Sequence, residues 1–196
     1  MRVLVIYAHP VETSYVAAMR DAVLRGLAVN GHEIRVTDLY AEGFDPRLSA
    51  SEFAIYNDND RNQVALADHI AHIRWAEALV FVFPTWWYGL PAILKGWLDR
   101  TLVPGVAFTL DPKGGKIRPE LTHIRLLAAV TSCGSPWWFA KWVGEPHRRI
   151  LLRGIRALCG PRCKTLWLAH FNMDTAQKSS LARHLLKIEQ RFAKLR

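Results

Sequence analysis

Five short runs of the chain, rich in β-branched and aromatic residues, restrict it to few folds. They are RVLVIYA (2–8), HEIRVTDL (32–39), ALVFVFP (78–84), IRLLAAVT (124–131) and KTLWLAHF (164–171). The first, third and fourth are almost continuously apolar, as strands buried on both faces must be, whereas the second alternates. Helical spacing fills the gaps between them. Residues 14–29 place Val16, Met19, Val23, Leu24 and Leu27 on one stripe and close at Asn30-Gly31. Further helices are expected over 61–75, over 91–102 with Pro91 in the first turn, over 138–158, and over 175–194 with Leu181, Leu185, Ile188 and Phe192 in line. Parallel strands need right-handed helical crossovers, so this alternation predicts an α/β fold: a parallel sheet between two helical layers.

A chain of 196 residues, 51% of them hydrophobic, suffices for one domain over 1–196 and is short for two. No apolar run reaches the roughly 18 residues of a membrane-crossing helix, so no membrane insertion is expected. The chain enters its first strand directly at MRVLVIYA, without the basic and apolar regions of a secretion signal. Together with an odd cysteine count (Cys133, Cys159, Cys163), this predicts a cytoplasmic protein without a disulfide framework. Cys159 and Cys163 form a C-x3-C pair, but only His170 follows as a further ligand, so no metal site is expected and two thiols beside a buried strand is the reading. The net charge of +9 is uneven. From His147 onward twelve Lys and Arg face only Asp174 and Glu189, while residues 1–146 are close to neutral. No basic run is interleaved with stacking aromatics, so nucleic acid is not an expected partner.

Ligands of such sheets bind beyond the carboxyl ends of the strands. Three segments lie there. His9-Pro-Val-Glu-Thr-Ser-Tyr15 leads into a helix, where Thr13 and Ser14 hydroxyls can cap and free N–H groups favour an anion such as a phosphate. Neither a G-x-G-x-x-G nor a P-loop pattern is present. Pro84-Thr85-Trp86-Trp87-Tyr88-Gly89 forms an aromatic ledge between two prolines, suited to one face of a flat heterocycle. Thr131-Ser132-Cys133-Gly134-Ser135 is small enough to let a ligand reach the main chain, with Trp137, Trp138, Phe139 and Trp142 beyond it as a second wall. Aromatic walls without a Ser-His-Asp arrangement or a G-x-S-x-G elbow point to cofactor redox chemistry rather than hydrolysis.

At these residues the sequence resembles the NAD(P)H:quinone oxidoreductase (DT-diaphorase) family, which has short bacterial members and includes the ancillary flavoproteins of potassium-efflux systems. The resemblance rests on VLVIYAHP with Thr13-Ser14-Tyr15, on DLYAEGFDPRLS (38–49), on VAFTL (106–110) before Lys113-Gly-Gly-Lys116, and above all on FPTWWYGLPAILKGWLDR (83–100). It implies a flavodoxin-like fold with sheet order 2-1-3-4-5, a bound flavin (FAD, alternatively FMN), NAD(P)H as hydride donor, a quinone-like acceptor, ping-pong two-electron transfer and a homodimer. His9, Thr13, Ser14 and Tyr15 match positions around the flavin's phosphate-bearing chain. Pro84, Thr85, Trp86, Trp87 and Tyr88, and Thr131, Ser132, Cys133 and Gly134, match the loops around its ring.

Two departures bear on mechanism. Longer family members carry a Tyr and a His after the fourth-strand loop, but here Phe139 stands near the Tyr position without a hydroxyl. His147 is in loose register as the catalytic candidate, and the backbone N–H groups of Ser132 to Gly134 are expected to stabilise reduced-ring charge instead. The adenine-side Arg has only Lys178 nearby. The alternative role implied by the resemblance is a regulatory flavoprotein gripping a partner such as a potassium-efflux transporter; a flavin-free binding domain of the same fold is a third.

Overall fold

A computed structural model describes residues 1–111 and 115–196, so Lys113 and Gly114 of the matched KGGK stretch lie outside the described residues. Strands β1 (Arg2–Tyr7), β2 (Glu33–Asp38), β3 (Ala78–Pro84), β6 (Leu126–Ser132) and β7 (Lys164–His170) form a parallel sheet ordered β2-β1-β3-β6-β7. The numbering departs from the expected 2-1-3-4-5 because a short antiparallel hairpin, β4 (Phe108–Leu110) with β5 (Ile117–Pro119), intervenes. Three-residue, mostly exposed strands leave no apolar run to read, so no strand is expected from the sequence at VAFTL.

Every residue of β3 and β6 is buried, as their continuous apolar sequence requires of central strands. Period-two alternation splits their side chains between two cores. Leu4, Ile6, Phe81, Phe83 and Leu127 face α3 (Ala67–Trp75) and α4 (Ala92–Thr101), with Trp97 fully buried among them. Val3, Val5, Val80, Val82 and Val130 face α1 (Tyr15–Ala28) and α7 (Lys178–Phe192). Each such side chain contributes roughly 1.5–3 kcal/mol by leaving water. The two helices of the second layer meet closely: a Cβ on Gly26 would stand 2.5 Å from the Glu189 carbonyl and 2.8 Å from Phe192 Cβ. Ser49 opens α2 (Ala50–Ala54), a helix not expected from spacing, through a capping box with Glu52. Among the described residues no helix is long and apolar enough to cross a membrane.

The helix expected over 138–158 is broken. α5 (Trp137–Val143) stops at Gly144 (φ 96°), whose N–H donates to the Ala140 and Lys141 carbonyls. Glu145 is also left-handed (φ 46°), and α6 (Pro146–Arg149) restarts with proline at its first position and runs on through irregular turns to Leu158. Gly-Glu-Pro is a stop signal followed by a start signal, which the apolar spacing on either side concealed.

Candidate functional site

The loops after β1, β3 and β6 converge at the carboxyl edge of the sheet. Thr85, Trp86, Trp87, Tyr88, Cys133, Gly134, Ser135 and Asp174 line a cavity of about 640 Å³ there. That volume falls within the range of small-molecule sites.

The ledge is a tight turn. Gly89 N–H donates to the Trp86 carbonyl at 2.9 Å, while Trp87 and Tyr88 adopt φ 48° and 58°. Both central residues at positive φ make this a type I′ turn, which ordinarily takes Asn and Gly. Bulky aromatics there cost on the order of 1–3 kcal/mol each. The surroundings hold them in place. Thr85 N–H donates to the Ser132 carbonyl (2.8 Å) and its hydroxyl pairs with that of Thr131 (2.9 Å). Tyr88 OH bonds Ser135 Oγ at 2.7 Å, and its ring lies against Phe139. From below, His147 Nδ1 bonds the Tyr88 carbonyl and therefore carries the proton. The turn's outer face is free: Trp87 is 96% exposed.

His147 is buried between Phe83 and Trp167. Burial pushes its imidazole below the ordinary histidine range, against the Tyr88 carbonyl and Glu145, which favour the proton. It is not among the residues lining the cavity. The break at Gly144-Glu145 is what turns α6 so that His147 meets Tyr88.

The third loop is pinned by Cys133 N–H to the His170 carbonyl (2.8 Å) and Met173 N–H to the Cys133 carbonyl (3.1 Å). Thr131, Ser132 and Cys133 are buried, and burial raises the Cys133 thiol above its usual range. A Cβ on Gly134 would stand 2.8 Å from Asp174 Oδ2, so the carboxylate packs directly on this glycine and would have to shift to admit a side chain. Asp174 follows β7, outside the loops after the first, third and fourth sheet strands that the sequence singles out. The same rule extended to β7 reaches it.

In the first loop Ser14 caps α1, accepting from Ala17 N–H at 3.1 Å. His9 Nδ1 accepts the Val11 N–H, and Glu12 is drawn onto Arg20 at 2.9 Å. Thr13 is exposed. Tyr15 turns away: its hydroxyl donates to the Leu181 carbonyl (3.2 Å) and its ring meets His170 edge-on. The N–H groups of Glu12 and Thr13, and those of Trp87, Tyr88 and Gly134, donate to no acceptor among the described residues. One set of free donors sits at a helix start, the other beside an aromatic ledge. That division fits a ligand with an anionic tail and a flat polar-edged ring.

Comparison with known proteins agrees with this architecture. A family model described as a flavodoxin-like fold matches residues 1–192. NAD(P)H dehydrogenase (quinone) 1 of Rattus norvegicus is 33% identical over 179 residues, 81% of this chain and 65% of the relative. The crystal structure of Smu.1420 from Streptococcus mutans UA159 has a TM-score of 0.88 at 28% identity, covering 100% of both chains. An NAD(P)H:quinone oxidoreductase from Methanothermobacter marburgensis has a TM-score of 0.80 at 25% identity, covering 98% of this chain and 96% of that one. The match spans about half to two thirds of the length of the first curated relatives, at 49%, 65% and 45%. With the sheet order, the converging loops and a family match over nearly its whole length, the chain belongs to the flavodoxin-like fold family.

Proposed function

We propose that this protein is a flavin-dependent NAD(P)H:quinone oxidoreductase. The observation that carries the reading is the cavity in which an aromatic turn, held at positive φ, faces a loop of small residues with free N–H donors. A bound flavin would take hydride from NAD(P)H and pass the two electrons to a quinone-like acceptor. Trp86, Trp87 and Tyr88 give the ring a flat wall and exclude water from one face. Gly134 lets the ring's polar edge reach the main chain, where N–H donors stabilise negative charge without reorganising. The amides of Glu12 and Thr13 at the start of α1 take the phosphate-bearing chain, with Ser14 fixing that terminus. His9 shapes the same loop, and His147 positions Tyr88 rather than exchanging protons with substrate.

FAD is favoured over FMN. A second hollow of about 300 Å³, lined by His170, Phe171, Asn172, Thr175 and Gln177, lies along the chain directly beside Asp174 and offers room for an adenosine half. The functional unit is the domain 1–196, working as a cytoplasmic homodimer. Three unpaired thiols suit the cytoplasm. Exposed Trp137, Trp138 and Trp142, and an apolar groove of about 490 Å³ between Phe53, Leu98, Leu102 and Ile150, are surfaces a second copy would cover.

The deciding experiment is a visible spectrum of the purified protein, chromatography of the released flavin, and NADH and NADPH oxidation with a quinone. Bound FAD with rapid turnover is expected. A colourless protein that takes up neither FAD nor FMN refutes the reading; bound flavin with negligible turnover would favour the regulatory role.

A further inference from the structure

No Lys or Arg lines the cavity of the candidate site, and the basic residues that accumulate from His147 onward converge in part at the opposite pole of the sheet. A cavity of about 840 Å³, larger than the 640 Å³ of the candidate site, opens there beyond the amino ends of β1, β6 and β7. Its rim carries Arg125, Arg162, Lys164 and Lys194, all exposed, and Pro161 and Leu195 add apolar surface. No Asp or Glu lines it, whereas Asp174 lines the candidate site. Arg125 approaches Glu77 at 3.7 Å. The side chains of Arg162, Lys164 and Lys194 form no hydrogen bond or ion pair among the described residues.

The backbone that bears these cations is pinned. Arg156 clasps the turn Gly160-Pro161-Arg162: its Nε donates to the Cys163 carbonyl and its Nη2 to the Pro161 carbonyl, both at 2.7 Å. Cys163 N–H closes the turn onto the Gly160 carbonyl at 3.0 Å. Gly160 lies against the Thr122 carbonyl, 2.7 Å from where a Cβ would stand, which fixes the turn on the segment leading to Arg125. Lys164 N–H donates to the Arg125 carbonyl at 2.8 Å, so these two residues sit on adjoining stretches of chain. Asn30 Nδ2 donates to the Ala193 and Leu195 carbonyls at 2.7 and 2.8 Å, anchoring the segment that bears Lys194. The N–H groups of Gly160 and Arg162 donate to no acceptor among the described residues. Like charges gathered on a fixed backbone repel one another, and an anion between them relieves that repulsion with little further ordering of the chain.

We propose that this cavity binds a small organic polyphosphate, its phosphates held by Arg162, Lys164 and Lys194 and its organic part resting on Pro161 and Leu195. Guanidinium and ammonium groups make charge-assisted hydrogen bonds to phosphate oxygens, and the free N–H groups of Gly160 and Arg162 are available as further donors. A concave volume within the range of small-molecule sites suits such a ligand better than a membrane surface or an acidic polypeptide, which need a broad or extended face. The apolar surface beside the cations favours a phosphate ester over the inorganic ion. The cavity and the aromatic ledge lie at opposite ends of the sheet, so the proposal stands independently of the oxidoreductase reading.

ATP serves as the probe and adenosine as its uncharged counterpart. Each is titrated calorimetrically into the whole protein as purified, at an ionic strength of about 0.15 M, where diffuse surface attraction is screened. One ATP per chain is expected, with adenosine bound at least about tenfold more weakly. The double variant Arg162→Glu/Lys164→Glu should weaken ATP binding by about tenfold or more. Lys194→Glu, on a separate segment, should weaken it by about threefold or more on its own. Arg183→Glu/Lys187→Glu makes the same change in net charge at exposed positions of α7 that do not line the cavity, and should alter binding by less than about threefold. Absence of ATP binding up to about 1 mM, equal losses in the two double variants, or capture of the protein by phosphatidylglycerol vesicles without any binding of ATP would each overturn the proposal.

Discussion

His184 is expected to dominate the protein's acid sensitivity. It is buried on α7 with its Nε2 unpartnered, edge-on to His170 at 5.3 Å between ring centroids. Burial first, then His170 and Lys187, lower its pKa from 6.5 to about 4. The unfolded chain binds a proton at this residue below pH 6.5, whereas the folded chain resists until about pH 4. The stabilisation is therefore complete above pH 6.5 and is lost as pH falls through that window. At 1.36 kcal/mol per unit the shift corresponds to roughly 3 kcal/mol, a substantial part of a typical domain's stability. The loss should reach the candidate site. The His170 carbonyl holds Cys133 N–H, and His170 Nε2 lies 3.1 Å from Ser180 Oγ, so a charge placed here loosens the loop carrying Gly134. The assay is urea unfolding of wild type and His184→Phe between pH 7 and 4. Comparing the two proteins removes the contributions of His147 and of the carboxylates, common to both. Wild type should lose roughly 3 kcal/mol more than the variant across the window. Parallel stability curves, agreeing within about 0.5 kcal/mol, would show that His184 is not held neutral and refute the argument.

Three further outcomes follow from the site. His147→Ala removes the donor beneath Tyr88 and should weaken flavin binding by about 1–2 kcal/mol; stopped-flow reduction of the loaded enzyme should slow by less than about tenfold, and a hundredfold loss with flavin bound would make His147 an acid–base residue after all. Gly134→Val drives a side chain into Asp174 and should cost about 1–3 kcal/mol in unfolding experiments, with Asp174→Ala restoring part in the double variant; additive losses would contradict the contact. Trp87→Gly relaxes a positive φ without removing buried packing, so the apoprotein should gain about 1 kcal/mol in thermal unfolding while flavin affinity, measured by titration, falls by roughly 1–3 kcal/mol.

The parts of the fold legible in the sequence were those fixed by burial. β3 was read at its observed bounds because every residue is inside, and the other sheet strands lay within two residues of theirs. The parts that escaped were fixed by something other than apolar spacing. Exposed β4 and β5 gain order from pairing with each other. The interruption at Gly144-Glu145 lies in backbone conformation, between apolar stretches on either side of it. The residues around the candidate site were legible as types, since they follow buried strands at the carboxyl edge where sheets of this kind bind ligands. Their orientations were not. Tyr15 faces α7 because the Leu181 carbonyl lies within reach of its hydroxyl, and His147 sits beneath the ledge because α6 restarts at a new angle. Both depend on contacts across more than fifty residues of chain.

The strain in the ledge ties these observations together. A turn of this type would form most easily with Asn-Gly, yet the chain places Trp87-Tyr88 there and then supports them from three sides. Tyr88 is held at its hydroxyl by Ser135, at its carbonyl by His147 and at its ring by Phe139, and these partners come from the third loop, α6 and α5. The broken helix is therefore part of the device: a continuous helix over 138–158 would carry His147 along the α5 axis rather than beneath the turn. Packing alone gives Trp87 no reason to be there, since its side chain is almost wholly in solvent. A large exposed aromatic kept in an unfavourable conformation by buried neighbours is the arrangement expected of a preformed ligand wall. It lowers the entropy lost when a flat ring docks, at the expense of the apoprotein's stability.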